Sequence, residues 1–319
     1  MRLKRDRRRF LRTAAGAASA WPLVAAGAAM ADRGAPPKRA LTIGMATLGF
    51  ADYTNRQLAK ELAAQGIRTV QLFLNQSDSR YWKYNGRSDV SDLTGDRCKA
   101  IADAYGSAGI SIHSIGVYTN LIHVDPAERQ ANLDYFEAMM RVAGAMGVRK
   151  LVTESGHYEP QKPTPGVAYH FQPEVWKMMV TTGKELARRA EVHNATVLVE
   201  PFFGGFLASA KRTRLFLEEV DSTRIRALLD PANLLEVNDL KEMFDQLSPW
   251  IECLHAKDRK LHVDRGVPAG QGDLNYEEFV TLAAERTPGA PLILEYVGPK
   301  DYQQALAHLK GAIQKAGLM

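Results

Sequence analysis

The sequence predicts a single-domain (β/α)8 TIM barrel behind a cleavable export signal, and three observations carry that expectation. Eight short apolar runs recur along the chain with amphipathic helical stretches between them, the alternation that builds a parallel sheet. The runs are β-branched and apolar on both faces until their last residues, as parallel strands covered by helices must be. Four consecutive runs in the second half then end in a residue of metal-ligand type. A doubly wound open sheet shares the alternation, but no glycine-rich turn follows the first run to hold a nucleotide phosphate.

The first four strands are expected at Leu41–Ala46, Thr69–Leu74, Ile110–Ile115 and Lys150–Glu154. The other four are expected at Thr196–Glu200, Arg226–Asp230, Glu252–Lys257 and Pro291–Tyr296. Helices with one apolar face are expected at Arg56–Gln65, Pro126–Met146, Pro173–His193, Ala210–Val220, Tyr276–Glu285 and Asp301–Lys315. Cys98 falls on a helix and Cys253 on the seventh strand; barrel wall and outer layer are too far apart for a disulfide, so both read as small buried residues. Long segments after several strands belong to the carboxyl face, where loops build substrate pockets. Residues 75–92 carry Tyr81, Trp82 and Tyr84, and residues 155–171 carry His157, Tyr158, Tyr169 and His170. These side chains either stack on and hydrogen-bond a sugar ring or pack onto the rim. Residues 259–273 hold Pro268-Ala269-Gly270-Gln271-Gly272-Asp273, whose glycines allow a tight turn beside the site.

The strand-terminal residues are Glu200 in TVLVEP, Asp230 in IRALLDP, His255 in IECLHAKD and Glu295 in PLILEY. In a parallel barrel the carboxyl ends of the strands share one mouth, so residues far apart in sequence can surround one ion. One carboxylate at a strand end is ordinarily solvated or caps the next helix. Four ligand-type residues on consecutive strands point to a divalent metal ion. Their mixed oxygen and nitrogen donors suit Mn2+, Mg2+, Co2+ or Zn2+ better than a thiolate-seeking metal.

Residues 1–31 read as an export signal. Arg7, Arg8, Arg9, Phe10, Leu11 and Arg12 match the twin-arginine pattern, and an alanine- and glycine-rich stretch ends in the small-x-small site Ala29-Met30-Ala31. Pro22 and the small residues make this stretch a poor permanent membrane span, and no later run is long and apolar enough for one. A linker is expected at 32–39 and the barrel at 40–319, in a periplasmic or otherwise exported protein. The chain has a formal net charge of +5, yet residues 1–31 hold seven of the 41 basic residues and one of the 36 acids. The remainder is close to neutral, which removes bulk charge as an argument for nucleic-acid binding.

With Glu, Asp, His and Glu closing the fifth to eighth strands, the chain resembles the xylose isomerase-like barrels over nearly the whole of its mature length. That family includes sugar epimerases related to tagatose 3-epimerase, hydroxypyruvate isomerase, inosose dehydratase and endonuclease IV. The His-x-Lys-Asp string at His255–Asp258 is also similar to many members. The resemblance implies one divalent ion, commonly Mn2+, held by Glu200, Asp230, His255 and Glu295, with Glu200 and Glu295 also transferring protons. Two positions depart from the pattern: Asn233 stands where many relatives have a histidine, and Leu261 where tagatose-type epimerases have an arginine, with Arg259, His262 and Arg265 nearby. The three-metal nuclease would need that histidine and an Asp-x-His pair, and here Asp264 is followed two residues later by Gly266.

The expected substrate-binding residues are therefore Asn233, Lys257, Glu154, His157 and Arg259. Lys257 either steadies a developing oxyanion or pairs with Asp258 or a neighbouring strand. The expected chemistry is proton transfer next to the carbonyl of a carbohydrate through a metal-stabilised enediolate, giving isomerisation or epimerisation. Loss of a β-hydroxyl from the same site would make the protein a dehydratase or lyase, and an exported non-catalytic sugar-binding protein is the reading from another class. The expected partner is a small carbohydrate rather than nucleic acid, and the outer helices leave a homo-oligomer open.

Overall fold

The computed structural model describes residues 41–161 and 168–318. The expected signal at 1–31 and linker at 32–39 lie outside the described residues. Strands β1 (Ile43–Ala46), β2 (Thr69–Leu72), β3 (Ser111–Gly116), β4 (Lys150–Thr153), β5 (Thr196–Val199), β6 (Ile225–Leu229) and β7 (Ile251–Ala256) follow one another around a barrel wall. After β7 comes a separate antiparallel hairpin, β8 (Asp258–Lys260) and β9 (Asp264–Val267). Strand β10 (Leu292–Leu294) then closes the ring, pairing in parallel with both β7 and β1. The result is the expected single (β/α)8 barrel.

Helices α1 (Asn55–Ala64), α2 (Gly95–Gly106), α3 (Pro126–Ala145), α4 (Pro173–Val192) and α5 (Ala210–Val220) surround its first half. The one-turn α6 (Pro231–Leu234), then α7 (Leu240–Leu247), α8 (Tyr276–Arg286) and α9 (Tyr302–Lys315) complete the layer. Local chemistry sets the helix starts. Thr54 and Gln57 form a capping box on α1, and Asp125 caps α3 immediately before Pro126, whose missing N–H costs nothing in a first turn. No described helix is long and apolar enough to cross a membrane.

Apolar residues fill two separate spaces. The larger cluster lies between wall and helices and includes Leu58, Leu62, Phe136, Phe216, Phe244 and Phe279. The smaller contains Val152, Leu198, Leu228, Cys253 and Ile293, contributed by different strands, with Phe73 and Tyr118, and Leu48 and Trp82 pack against it. Alternation along each strand divides the side chains between these spaces. Both cysteines are free and buried.

Three expectations change. The ladders of β5, β6 and β10 stop one residue before Glu200, Asp230 and Glu295, so these side chains leave the wall where the chain turns. Only His255 sits inside a strand. Residues 259–273 are not simply a glycine turn, because much of the segment belongs to the β8–β9 hairpin. Its base is pinned by Asp258, whose carboxylate accepts backbone N–H groups from Arg259 (2.8 Å), Leu274 (3.0 Å) and Gly270 (3.1 Å). Finally, α2, α6 and α7 have no counterpart among the six helices delimited from the sequence.

Candidate metal centre

Because all eight strands run in parallel, the turns after β5, β6 and β10 face the same mouth as the end of β7. Glu200, Asp230, His255 and Glu295 are all buried there, each offering one ligand atom, and these atoms lie within 4.8 Å of one another. His255 Nδ1 faces the three carboxylates, at 3.4 Å from Glu200 Oε1, 3.8 Å from Asp230 Oδ2 and 3.4 Å from Glu295 Oε2. The opposite ring nitrogen, Nε2, is 2.7 Å from Gln71 Oε1. A proton on Nε2, donated to that amide oxygen, leaves the Nδ1 lone pair for a metal.

These residues fit a divalent ion. His255 Nδ1, Asp230 Oδ2 and Glu295 Oε2 are buried and make no hydrogen bond, although the Lys257 ammonium is an ion-pair partner of Asp230 Oδ2 at 2.6 Å and of Glu295 Oε2 at 3.4 Å. Three carboxylates this close and this dry demand positive charge. The same demand acts on the neighbouring protons. Burial opposes protonation of His255, but Glu295 and Glu200 outweigh it and hold its pKa well above the usual range. Burial likewise opposes the charge of Lys257, and Asp230 and Glu295 reverse the effect and raise its pKa. Burial alone would raise the Glu295 pKa; His255 and Lys257 bring it down to about 2.

Asp230 does two jobs. One oxygen caps α6 through Asn233 N at 3.3 Å, as a strand-end carboxylate often does, while the other faces the centre. Asn233 donates through Nδ2 to Glu200 Oε1 at 2.8 Å and accepts from Lys257 Nζ at 2.8 Å. The amide thus links a ligand carboxylate to the buried ammonium. Lys257 belongs to this network and not to an ion pair with Asp258.

Glu200 and Glu295 line a cavity of about 410 Å3 together with Asn233, Lys257, Glu154 and His157. Glu154 accepts the Tyr84 hydroxyl at 2.8 Å; burial, then the charge of Glu200, pushes its pKa up to about 8. Arg259 is a correction: the expected substrate contact is a buried brace, donating to Ala232 O at 2.7 Å and Glu236 at 3.0 Å, with Phe203 under its guanidinium. Arg265, on β9, lines the cavity instead. In the segments flagged for aromatics, Trp82, Tyr84 and His157 reach the cavity, whereas His170 is buried and Tyr158 packs beside Tyr169.

Sequence reasoning missed Gln71 and Tyr118. Gln71 left a signal, a polar residue in the fully buried strand TVQL. Tyr118, whose hydroxyl donates to Glu200 Oε2 at 2.6 Å, left none, because a tyrosine beside an apolar strand reads as core.

Fold and site define a (β/α)8 barrel with a metal-type centre at the carboxyl mouth. The chain belongs to the xylose isomerase-like TIM barrel family, whose model matches residues 59–312. No curated protein matches the sequence. Among solved structures it is similar to a xylose isomerase domain protein from Planctomyces limnophilus, at 18% identity and TM-score 0.68, covering 88% of this chain and 100% of that one. A probable 3-DHS dehydratase from Bacillus anthracis is similar at 17% identity and TM-score 0.68, covering 86% and 99%. D-psicose 3-epimerase from Clostridium cellulolyticum H10 is similar at 14% identity and TM-score 0.66, covering 87% and 98%.

Proposed function

We propose that this protein is a divalent-metal-dependent sugar isomerase or epimerase, exported by the twin-arginine route, that acts on a keto or aldo sugar or an oxidised sugar derivative. The observation that carries the reading is the convergence of Glu200, Asp230, His255 and Glu295, with ligand atoms within 4.8 Å beside a substrate-sized cavity. A divalent ion held there supplies a Lewis acid, which offsets the charge that develops when a C–H proton next to the substrate carbonyl leaves. Mn2+ is favoured by the family resemblance, and Co2+, Mg2+ and Zn2+ accept the same donors.

The protein's own residues carry the proton. Glu295 lines the cavity and is held ionised by His255 and Lys257, which makes it the candidate base. Glu200 is oriented by two donors, Tyr118 on one oxygen and Asn233 on the other. One glutamate removes the proton and the other returns it, to the opposite face for epimerisation or to the adjacent carbon for isomerisation. Lys257 supplies a fixed positive charge beside both Asp230 and Glu295. Similarity to the psicose 3-epimerase barrel supports this reading.

One observation favours a dehydratase as the second reading. Glu154 lines the cavity with its pKa pushed up, first by burial and then by the charge of Glu200, a direction that favours the acid form and suits it to protonate a departing hydroxyl so that it leaves as water.

Glu295→Gln is expected to cut solvent-deuterium incorporation into substrate by roughly 100- to 10,000-fold. Retained exchange in that variant would remove Glu295 from the mechanism. Saturable sugar binding by the wild-type protein with no exchange would move the non-catalytic reading to the front.

A further inference from the structure

One flank of the cavity is aromatic from its floor to its rim. Phe73 is 1% exposed, and its ring stacks on that of Tyr118 at 5.7 Å and 16°. Trp82 meets these two rings edge-on, at 5.7 and 6.4 Å, and Tyr84 leans on Trp82 at 6.5 Å. Tyr84 is 50% exposed, so the series runs from the closed barrel interior to solvent. It fits because β3 ends in Gly116, where an added Cβ would come within 2.7 Å of the Phe73 ring. Hydrogen bonds fix both ends: Tyr118 to Glu200 at the floor and Tyr84 to Glu154 at the rim.

On the far side of β1, Tyr296 follows Glu295 and presents a second ring, 57% exposed. Its backbone lies in the left-handed region at φ +56°, a costly conformation for a tyrosine and one that collects at binding sites. The ring lies against Gly266 of β9, where a Cβ would approach it to 2.5 Å. The hairpin and β10 are thus shaped to leave this ring at the mouth.

A single sugar ring next to Glu200 and Glu295 can stack on only part of a wall that continues outward to half-exposed Tyr84. Half-exposed rings gain most from a ligand that covers them with another flat apolar surface. The cavity, about 410 Å3, also falls within the ~300–1,000 Å3 of pockets that enclose ligands larger than one sugar ring.

We propose that this flank is an aglycone subsite. The substrate is a glycoside whose sugar ring carries a carbonyl, with its aromatic substituent along Trp82 and Tyr84 and its oxidised ring facing Glu200 and Glu295. The assignment rests on the sugar-site reading above and adds the substrate class to it.

Calorimetry on the full chain with Mn2+ present tests it, using D-fructose, methyl β-D-glucopyranoside and phenyl β-D-glucopyranoside as probes. The phenyl glycoside is expected to bind roughly three- to tenfold more tightly than the methyl glycoside, the size of one aromatic stacking contact. That preference should vanish in Tyr84→Ser and survive in Tyr84→Phe, with metal content unchanged in both. Equal affinity for the two glycosides, or a phenyl preference untouched by Tyr84→Ser, overturns the subsite. Binding of D-fructose with neither glycoside bound overturns the glycoside assignment and leaves the sugar site standing. Binding of none of the three overturns the sugar-site reading itself.

Discussion

Strands β5, β6, β7 and β10 bring Glu200, Asp230, His255 and Glu295 to the barrel mouth, whereas the segments after β1, β2 and β3 bring Leu48, Phe73, Trp82, Tyr84 and Tyr118. The first arc is charged and buried, and its side chains are held by one another. The second is mostly aromatic and graded in exposure, and its rings are held by packing on one another, with a hydrogen bond at each end from Tyr118 and Tyr84. A charge that ends an apolar run is conspicuous, because burying it is costly without a partner or an ion. An aromatic residue near an apolar run is what any core contains, so only its place beside a cavity separates binding from packing.

Two contacts couple the arcs, Gln71 to His255 and Tyr118 to Glu200, and these are where the comparison is best tested. The largest effect is expected inside the charged arc. Asp230→Ala should weaken metal binding by more than ~100-fold, beyond the range typical of supporting residues, as read by metal content after dialysis against a chelator. If the variant keeps its metal, the four residues do not form the centre.

Gln71→Leu lies on β2, outside the charged arc, yet should still lower metal affinity by roughly 10- to 100-fold. Losing the acceptor on Nε2 frees the imidazole to place its proton on Nδ1. Affinity equal to wild type in a competition titration would make the arcs independent.

The smallest effect concerns two histidines that belong to neither arc, His113 on β3 and His170 in the segment after β4. Burial, reinforced by Lys150 and opposed by Glu252, holds the His113 pKa down to about 4, and burial does the same for His170. Both are neutral in the fold and take up a proton on unfolding below their usual value of 6.5. Their stabilising contribution is therefore complete above pH 6.5 and falls away as pH drops from there toward 4. The melting temperature should decline across that window equally in wild type and Asp230→Ala. A decline confined to wild type would assign the acid sensitivity to the metal centre.

Particular residues show how far the chain alone could be read. Alternation and strand composition delimited the barrel strands to within about two residues, because parallel strands buried on both faces have little compositional freedom. The four candidate ligands were legible for the reason already given. Arg259 was misassigned because its neighbourhood depends on the hairpin: once Asp258 pins that turn, Arg259 points at Ala232 and Glu236, and Arg265 takes the cavity side.

The sequence by itself determined the barrel and the candidate ligand set, since both follow from periodicity and from the cost of burying charge. Only the tertiary structure decided which nitrogen of His255 faces the carboxylates, because Gln71 lies 184 residues away in the chain. It also decided that Asn233 links Glu200 to Lys257, and that Phe73, Tyr118, Trp82 and Tyr84 form one wall. These are contacts between segments remote in sequence, and local propensity carries no information about a partner that folding alone brings near.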